Sequence, residues 1–129
     1  MKPIFTFLLF ATAITFSSFA QKGPIDEVAA ALRSGNAAEM AKYFDDNVEI
    51  TLPSKNESYS KAQAQVILRD FFSNSDVKGF DVKHKGDSPG GHYFIGTLQT
   101  KSGSFRTHVF MKTKGNREVI KELRFQSIE

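Results

Sequence analysis

The stretch SKAQAQVILRDFFSNSDVKGFDVKH, residues 60–84, decides the fold, because the hydrophobic period changes inside it from that of a helix to that of a strand. Ser60 followed by Gln63 is a capping box and opens a helix. Ala64, Ile67, Leu68, Phe71 and Phe72 fall along one side of it, uninterrupted by Gly or Pro. Ser73-Asn74-Ser75 closes the helix. From Val77 the period is two, with Phe80, Val82 and His84 alternating against Asp81, Lys83 and Lys85. A long amphipathic helix therefore leads directly into sheet.

Upstream of this stretch the pattern predicts two shorter helices and a strand. Pro24 suits a first helical turn, and Ile25, Val28, Ala29 and Leu32 follow as one apolar stripe that Gly35 ends. Asn36 with Glu39 caps a second helix, whose buried side is Met40, Tyr43 and Phe44. Asp45-Asp46-Asn47 breaks it as a solvated turn. Val48, Ile50 and Leu52 then alternate as a half-buried strand that Pro53 stops, and Tyr59 belongs to a short return strand.

Downstream, a loop over Lys85–Gly91 turns the chain. His92–Thr100, Phe105–Thr113 and Val119–Ile128 read as three strands joined at Ser102-Gly103 and around Gly115-Asn116. Helices early and a meander late make an α+β domain, a curved antiparallel sheet wrapped around the long helix.

At 129 residues the chain has room for one domain. Its 40% hydrophobic and 24% charged residues are globular values, which excludes a disordered or collagen-like chain. With no cysteine there is no thiol nucleophile, thiolate metal site, disulfide or acylated anchor. A net charge of +3 is too small to indicate nucleic-acid binding. Lys2, the apolar run Ile4–Phe16 and the small residues of Ser18-Phe19-Ala20 form a secretory signal pattern with cleavage before Gln21. The run is shorter than the ~20 residues that span a bilayer, so no membrane span is expected after cleavage. Residues 1–20 are thus a leader and 21–129 the domain, exported to the periplasm or beyond. Eight of the thirteen Phe and all three Tyr remain in the domain for its core.

The element order resembles the nuclear-transport-factor-two-like, or cystatin-like, α+β cone. Tyr59–Phe72, His84–Gly86, Tyr93–Leu98, Gly103–Arg106 and Ile120–Arg124 also resemble a secreted bacterial domain-of-unknown-function family, number 4783. That resemblance implies the cone fold and assigns no catalytic residue, since the fold hosts isomerases, dehydratases, ligand binders and dimeric scaffolds alike.

The residues show no catalytic set either. Gly-x-Ser-x-Gly is absent, Ser88-Pro-Gly-Gly91 lacks the lysine and helix of a phosphate loop, and no helical His pair has metal spacing. Asn56-Glu57-Ser58 matches a glycosylation sequon, which a bacterial origin would make idle. No cofactor or metal is expected. If Val82 pairs with Phe94, Phe80 faces Gly96, whose missing side chain leaves room for the ring, and His84 faces His92 at the end of the cone. Cross-strand side chains lie ~5 Å apart, close enough for two imidazoles to share a metal, an anion or a proton, though no third metal ligand is evident from spacing. His84, His92 and Tyr59 are the inward polar residues and so the candidate ligand contacts; hydrated histidines at a strand end are the plainer reading.

The opposite face mixes apolar, aromatic and charged residues, with Ile95, Phe110 and Ile120 at its centre and Arg106, His108, Glu122 and Arg124 around them. That mixture suits a protein interface. Charge is uneven as well: residues 76–129 carry 10 basic and 6 acidic groups, residues 21–75 carry 6 and 8. The expectation is a non-enzymatic exported binding or scaffold domain acting as a homodimer. A small-molecule binder using the cone cavity is the alternative, and a lyase or isomerase, which would need inward acids, comes third.

Overall fold

The computed structural model describes residues 23–128; the leader expected at 1–20 and its expected cleavage junction lie outside them. Helix α1 (Pro24–Ser34) starts with proline in its first turn and ends at Gly35 in the left-handed conformation, φ 63°. Helix α2 (Ala37–Ala41) is capped by Asn36, whose side chain accepts from the Glu39 N–H at 3.0 Å. The Glu39 carboxylate completes no capping box and pairs with Lys42. Strands β1 (Phe44–Leu52) and β2 (Lys55–Ser60) form a hairpin. Helix α3 (Lys61–Ser75) opens with the full Ser60–Gln63 capping box. Then come β3 (Val77–Ser88), β4 (Gly91–Thr100), β5 (Gly103–Lys114) and β6 (Arg117–Ile128).

The six strands form one sheet in the order β2-β1-β6-β5-β4-β3. All neighbours are antiparallel except β1 and β6, which run parallel, so the sheet is mixed where pure antiparallel pairing is expected from sequence. The chain crosses from β2 to β3 through α3, and β1 receives the last strand on its free side. Register breaks in β3 and β6 each add a single residue to one strand, and the β1–β6 ladder shifts by more between Phe44 and Glu49; such breaks bend the strands and help the sheet curve.

The helices fill the concave side. The Phe71 ring of α3 lies 4.8 Å from Phe125 and 5.2 Å from Phe105, and Phe72 meets Phe125 edge-on at 6.4 Å. Val28 and Leu32 of α1, Met40 of α2, and Ala64 and Leu68 of α3 are buried against Phe80, Phe94, Leu98, Val109, Met111 and Leu123 of the sheet. Each large apolar side chain buried this way contributes ~1.5–3 kcal/mol relative to exposure. The interior is thus packed with side chains along its length.

Three local expectations are corrected by longer-range contacts. The segment Lys85–Gly91 is mostly strand, because β3 continues to Ser88 and only Pro89-Gly90 turns, with Gly90 at φ 82°. A side chain on Gly91 would overlap the Met111 carbonyl, so glycine lets β4 approach β5 there. Asp45 is no part of a solvated turn: it is buried in β1 and bonded to Lys114 Nζ at 2.7 Å and Lys121 Nζ at 3.3 Å, while Asp46 stays exposed. Those lysines are about seventy residues away and give no local signal. Ile120 moves from the outer face to the core. The β6 bulge falls at Lys121, between the pairs Phe110–Glu122 and Met111–Ile120, and turns Ile120 inward to complete burial. Its neighbour Val119 stands opposite Lys112; it is buried, but lies outside the contiguous core cluster.

Candidate functional site

The outer face of β4, β5 and β6 carries three cross-strand rows that the ladder registers define. Tyr93, Phe110 and Glu122 form one, Ile95, His108 and Arg124 the next, and Thr97, Arg106 and Gln126 the third. Strand alternation aims all nine at one surface. The first two rows enclose a groove of about 370 Å³ lined by Tyr93, Ile95, His108, Phe110, Glu122 and Arg124 over Val109. Five of the seven residues assigned to this face from sequence are therefore brought together in one concavity. Arg106 lies exposed in the adjoining row, and Ile120 is in the core instead.

Within the groove the Arg124 guanidinium donates to Glu122 Oε2 at 2.8 Å. His108 stands between Ile95 and Arg124 in its row, with its Nδ1 shielded from water and without a hydrogen-bond partner. Burial pushes its imidazole below the ordinary histidine range, and the positive charges of Arg124 and Arg106 push the same way, against Glu122. His108 is therefore neutral at pH 7, next to an ion pair. The Tyr93 ring is held from the side by His84, 5.9 Å away, and a side chain on Gly86 would overlap its hydroxyl.

The proposed ligand contacts are not brought together. The ladder pairs Val82 with Gly96 and Phe80 with Leu98, two residues further along β4 than expected from sequence. That slip preserves faces, but the bulge at Lys83 then sets His84 opposite Ile95 and turns it outward onto Tyr93. His92 stays on the inner face, opposite Asp87 of β3 and Met111 of β5. The two histidines thus occupy opposite faces, and no shared imidazole site exists. Tyr59 is buried in the core on β2, beside a shallow groove lined by Ala62, Gln63, Val66 and Ile67 of α3.

His92 has partners that the sequence reading missed. Its Nδ1 lies 3.1 Å from Asp87 Oδ1 and its Nε2 3.3 Å from Glu118 Oε1. The hydrogen bond with Asp87 and the charge of Glu118 raise its pKa above the ordinary value despite partial burial. Asp87 sits five residues before His92 across a turn, a spacing that pairs them once the hairpin is known to be tight. At Asp45, the Lys114 hydrogen bond holds the carboxyl well below the carboxylate range, and Lys121 and the Asp46 N–H add to it. Among the described residues no group of three His, Cys, Asp or Glu is arranged to hold a metal, and no helix is long and apolar enough to cross a membrane.

The chain matches the model of DUF4783, a domain of unknown function, over residues 25–126. A DUF4783 protein from Bacteroides uniformis is 31% identical, covering 83% of this chain and 99% of its own, with a TM-score of 0.80. Another from Bacteroides ovatus is also 31% identical, covering 80% and 94% respectively, at 0.77. An NTF2-like protein of unknown function from Cytophaga hutchinsonii shares the fold at 11% identity and a TM-score of 0.59, over 84% of this chain and 94% of its own. No curated protein matches the chain. With its curved six-stranded sheet closed over a long capped helix, the chain belongs to the DUF4783 family and has the NTF2-like fold.

Proposed function

We propose that the protein is an exported, non-enzymatic binding or scaffold domain that works through the outer face of its sheet, with a second copy of the chain as the occupant of that face. The observation that carries this reading is the groove itself. Tyr93, Ile95 and Phe110 give it an apolar centre, and Glu122 and Arg124 place both signs of charge at one edge, with Arg106 in the next row. A two-fold axis through such a face sets Glu122 of one protomer against Arg106 or Arg124 of the other. A patch of this composition suits an interface core with a polar rim. The alternative, a small ligand inside the cone, has less support, because Phe71, Phe72, Phe80, Phe94, Phe105 and Phe125 occupy the space between helix and sheet.

Sedimentation velocity of residues 21–129 at tens of micromolar tests the proposal. A dimer that Phe110→Glu converts to a folded monomer supports it. A wild-type chain that sediments only as a monomer at these concentrations removes it.

A further inference from the structure

At the end of the sheet away from the β4–β5 turn, His92 makes contacts that span three strands. Asp87 reaches it from β3, and Glu118 reaches it from β6 over the top of β5. Glu118 is held for this contact: Thr113 Oγ1 of β5 donates to its Oε2 at 2.9 Å, which leaves Oε1 directed at His92 Nε2. That Oε1 is shielded from water and has no aligned hydrogen-bond donor; the group facing it is His92 Nε2 at 3.3 Å, which offsets its burial with a charge only when the ring is protonated. The Thr113 N–H also donates to the Gly90 carbonyl at 3.1 Å, tying the β3–β4 turn to β5. Beneath the cluster is a pocket of about 200 Å³ whose other walls are Gly23, Pro24 and Ile25 at the start of α1, and Met111.

Both ring nitrogens of His92 thus face a carboxylate. A neutral imidazole has one N–H and can serve only one of them; an imidazolium serves both. We propose that His92 is a proton-controlled tie between the β3–β4 and β5–β6 hairpins, closed as the imidazolium and opened by loss of its proton, and that it governs how firmly the start of α1 is seated. The charged groups facing His92 are Asp87 from β3 and Glu118 from β6; β5 presents Met111 and Thr113, and α1 presents Pro24 and Ile25, none of them charged. The direction follows from the raised pKa. The tie is complete below the ordinary histidine range and is lost as pH rises through the folded-state value. It is separate from the outer groove, which lies on the other face.

Histidine-resolved NMR titration with backbone hydrogen exchange tests this on the intact protein. His92 should titrate above the ordinary value of ~6.5. Protection of Asp87–Tyr93 and Thr113–Val119 should fall across the same titration, by about tenfold for each unit the pKa is raised, while the β4–β5 turn stays unchanged. Glu118→Gln should lower the His92 titration point, and His92→Gln should abolish the pH step in exchange. A His92 that titrates at or below the ordinary value, or hairpin ends whose protection ignores its titration, overturns the proposal. If His92→Gln does not fold, Glu118→Gln and the wild-type titration still decide it.

Discussion

The Phe80 ring and the Asp81 carbonyl together occupy the space that a side chain on Gly96 would need: a methyl group there would overlap the carbonyl and lie 2.5 Å from Phe80 Cζ. The two residues are diagonal neighbours, since Gly96 pairs directly with Val82. Phe80 is buried and meets Phe94 edge-on at 6.0 Å, so its ring has no free direction in which to retreat. Gly96→Ala should destabilise the domain by ~1–3 kcal/mol through overpacking. Phe80→Leu in the same chain should recover part of that loss. Denaturant unfolding of the two single variants and the double variant checks the coupling. The Asp81 carbonyl stays in place in both variants, so only the ring's share of the loss is recoverable, and fully additive losses would mean that the ring does not compete for that space.

Leu68 lies at the middle of α3 with no exposed surface, facing a core of Phe and Leu. Leu68→Ala should cost ~2–5 kcal/mol, as a buried truncation that its rigid neighbours cannot fill. The same measurement on the exposed neighbour Val66→Ala should give less than ~1 kcal/mol. Similar values for both would contradict the seating of α3 inside the sheet.

Much of this architecture was legible in residues 60–84 because helix caps and hydrophobic period are local signals. Ser60, Gln63, Gly35 and the Ala64-Leu68-Phe72 stripe act over a few residues and appear as the sequence predicts. Faces survived too, since the β3–β4 register slips by an even number of residues, and an even slip returns every side chain to its own side. Bulges carry no such signature. One extra residue at Lys83 sent His84 outward, and one at Lys121 sent Ile120 inward. The parallel seat of β6 beside β1, and the Asp45, Lys114 and Lys121 cluster that it creates, join segments about seventy residues apart. No periodicity within either segment encodes that contact.

Asp45 gives the domain an acid-sensitive anchor. Its carboxyl is held low by Lys114 first and by Lys121, with burial opposing them. A folded-state pKa below the unfolded value of ~3.9 stabilises the domain fully above that value, and the contribution fades as pH falls further. Asp45→Asn should therefore lower stability at pH 7 by ~1–3 kcal/mol, the loss of a charged hydrogen-bond acceptor in a buried place. The gap between variant and wild type should narrow below pH 4. Urea unfolding at pH 7, 5 and 3 measures it, and a gap that stays constant over this range would show that the charge of Asp45 is not what matters.

The outer groove offers a charge test that does not depend on packing. Glu122 bonds Arg124 within the protomer, and under two-fold pairing it also meets the arginines of the opposing copy. Glu122→Arg then places like charges against Arg124 in its own chain and against Arg106 or Arg124 across the axis. Because every dimer carries the change twice, association should weaken at least ~10-fold, most strongly at low salt. Arg124→Glu added to the same chain swaps the pair rather than breaking it and should restore part of the affinity. Glu122 and Arg124 are only half-buried, so both variants should keep the wild-type circular dichroism. Equilibrium sedimentation at two salt concentrations separates the cases. If the single reversal leaves association untouched, or the swap fails to recover any, copies of the chain do not meet through this face.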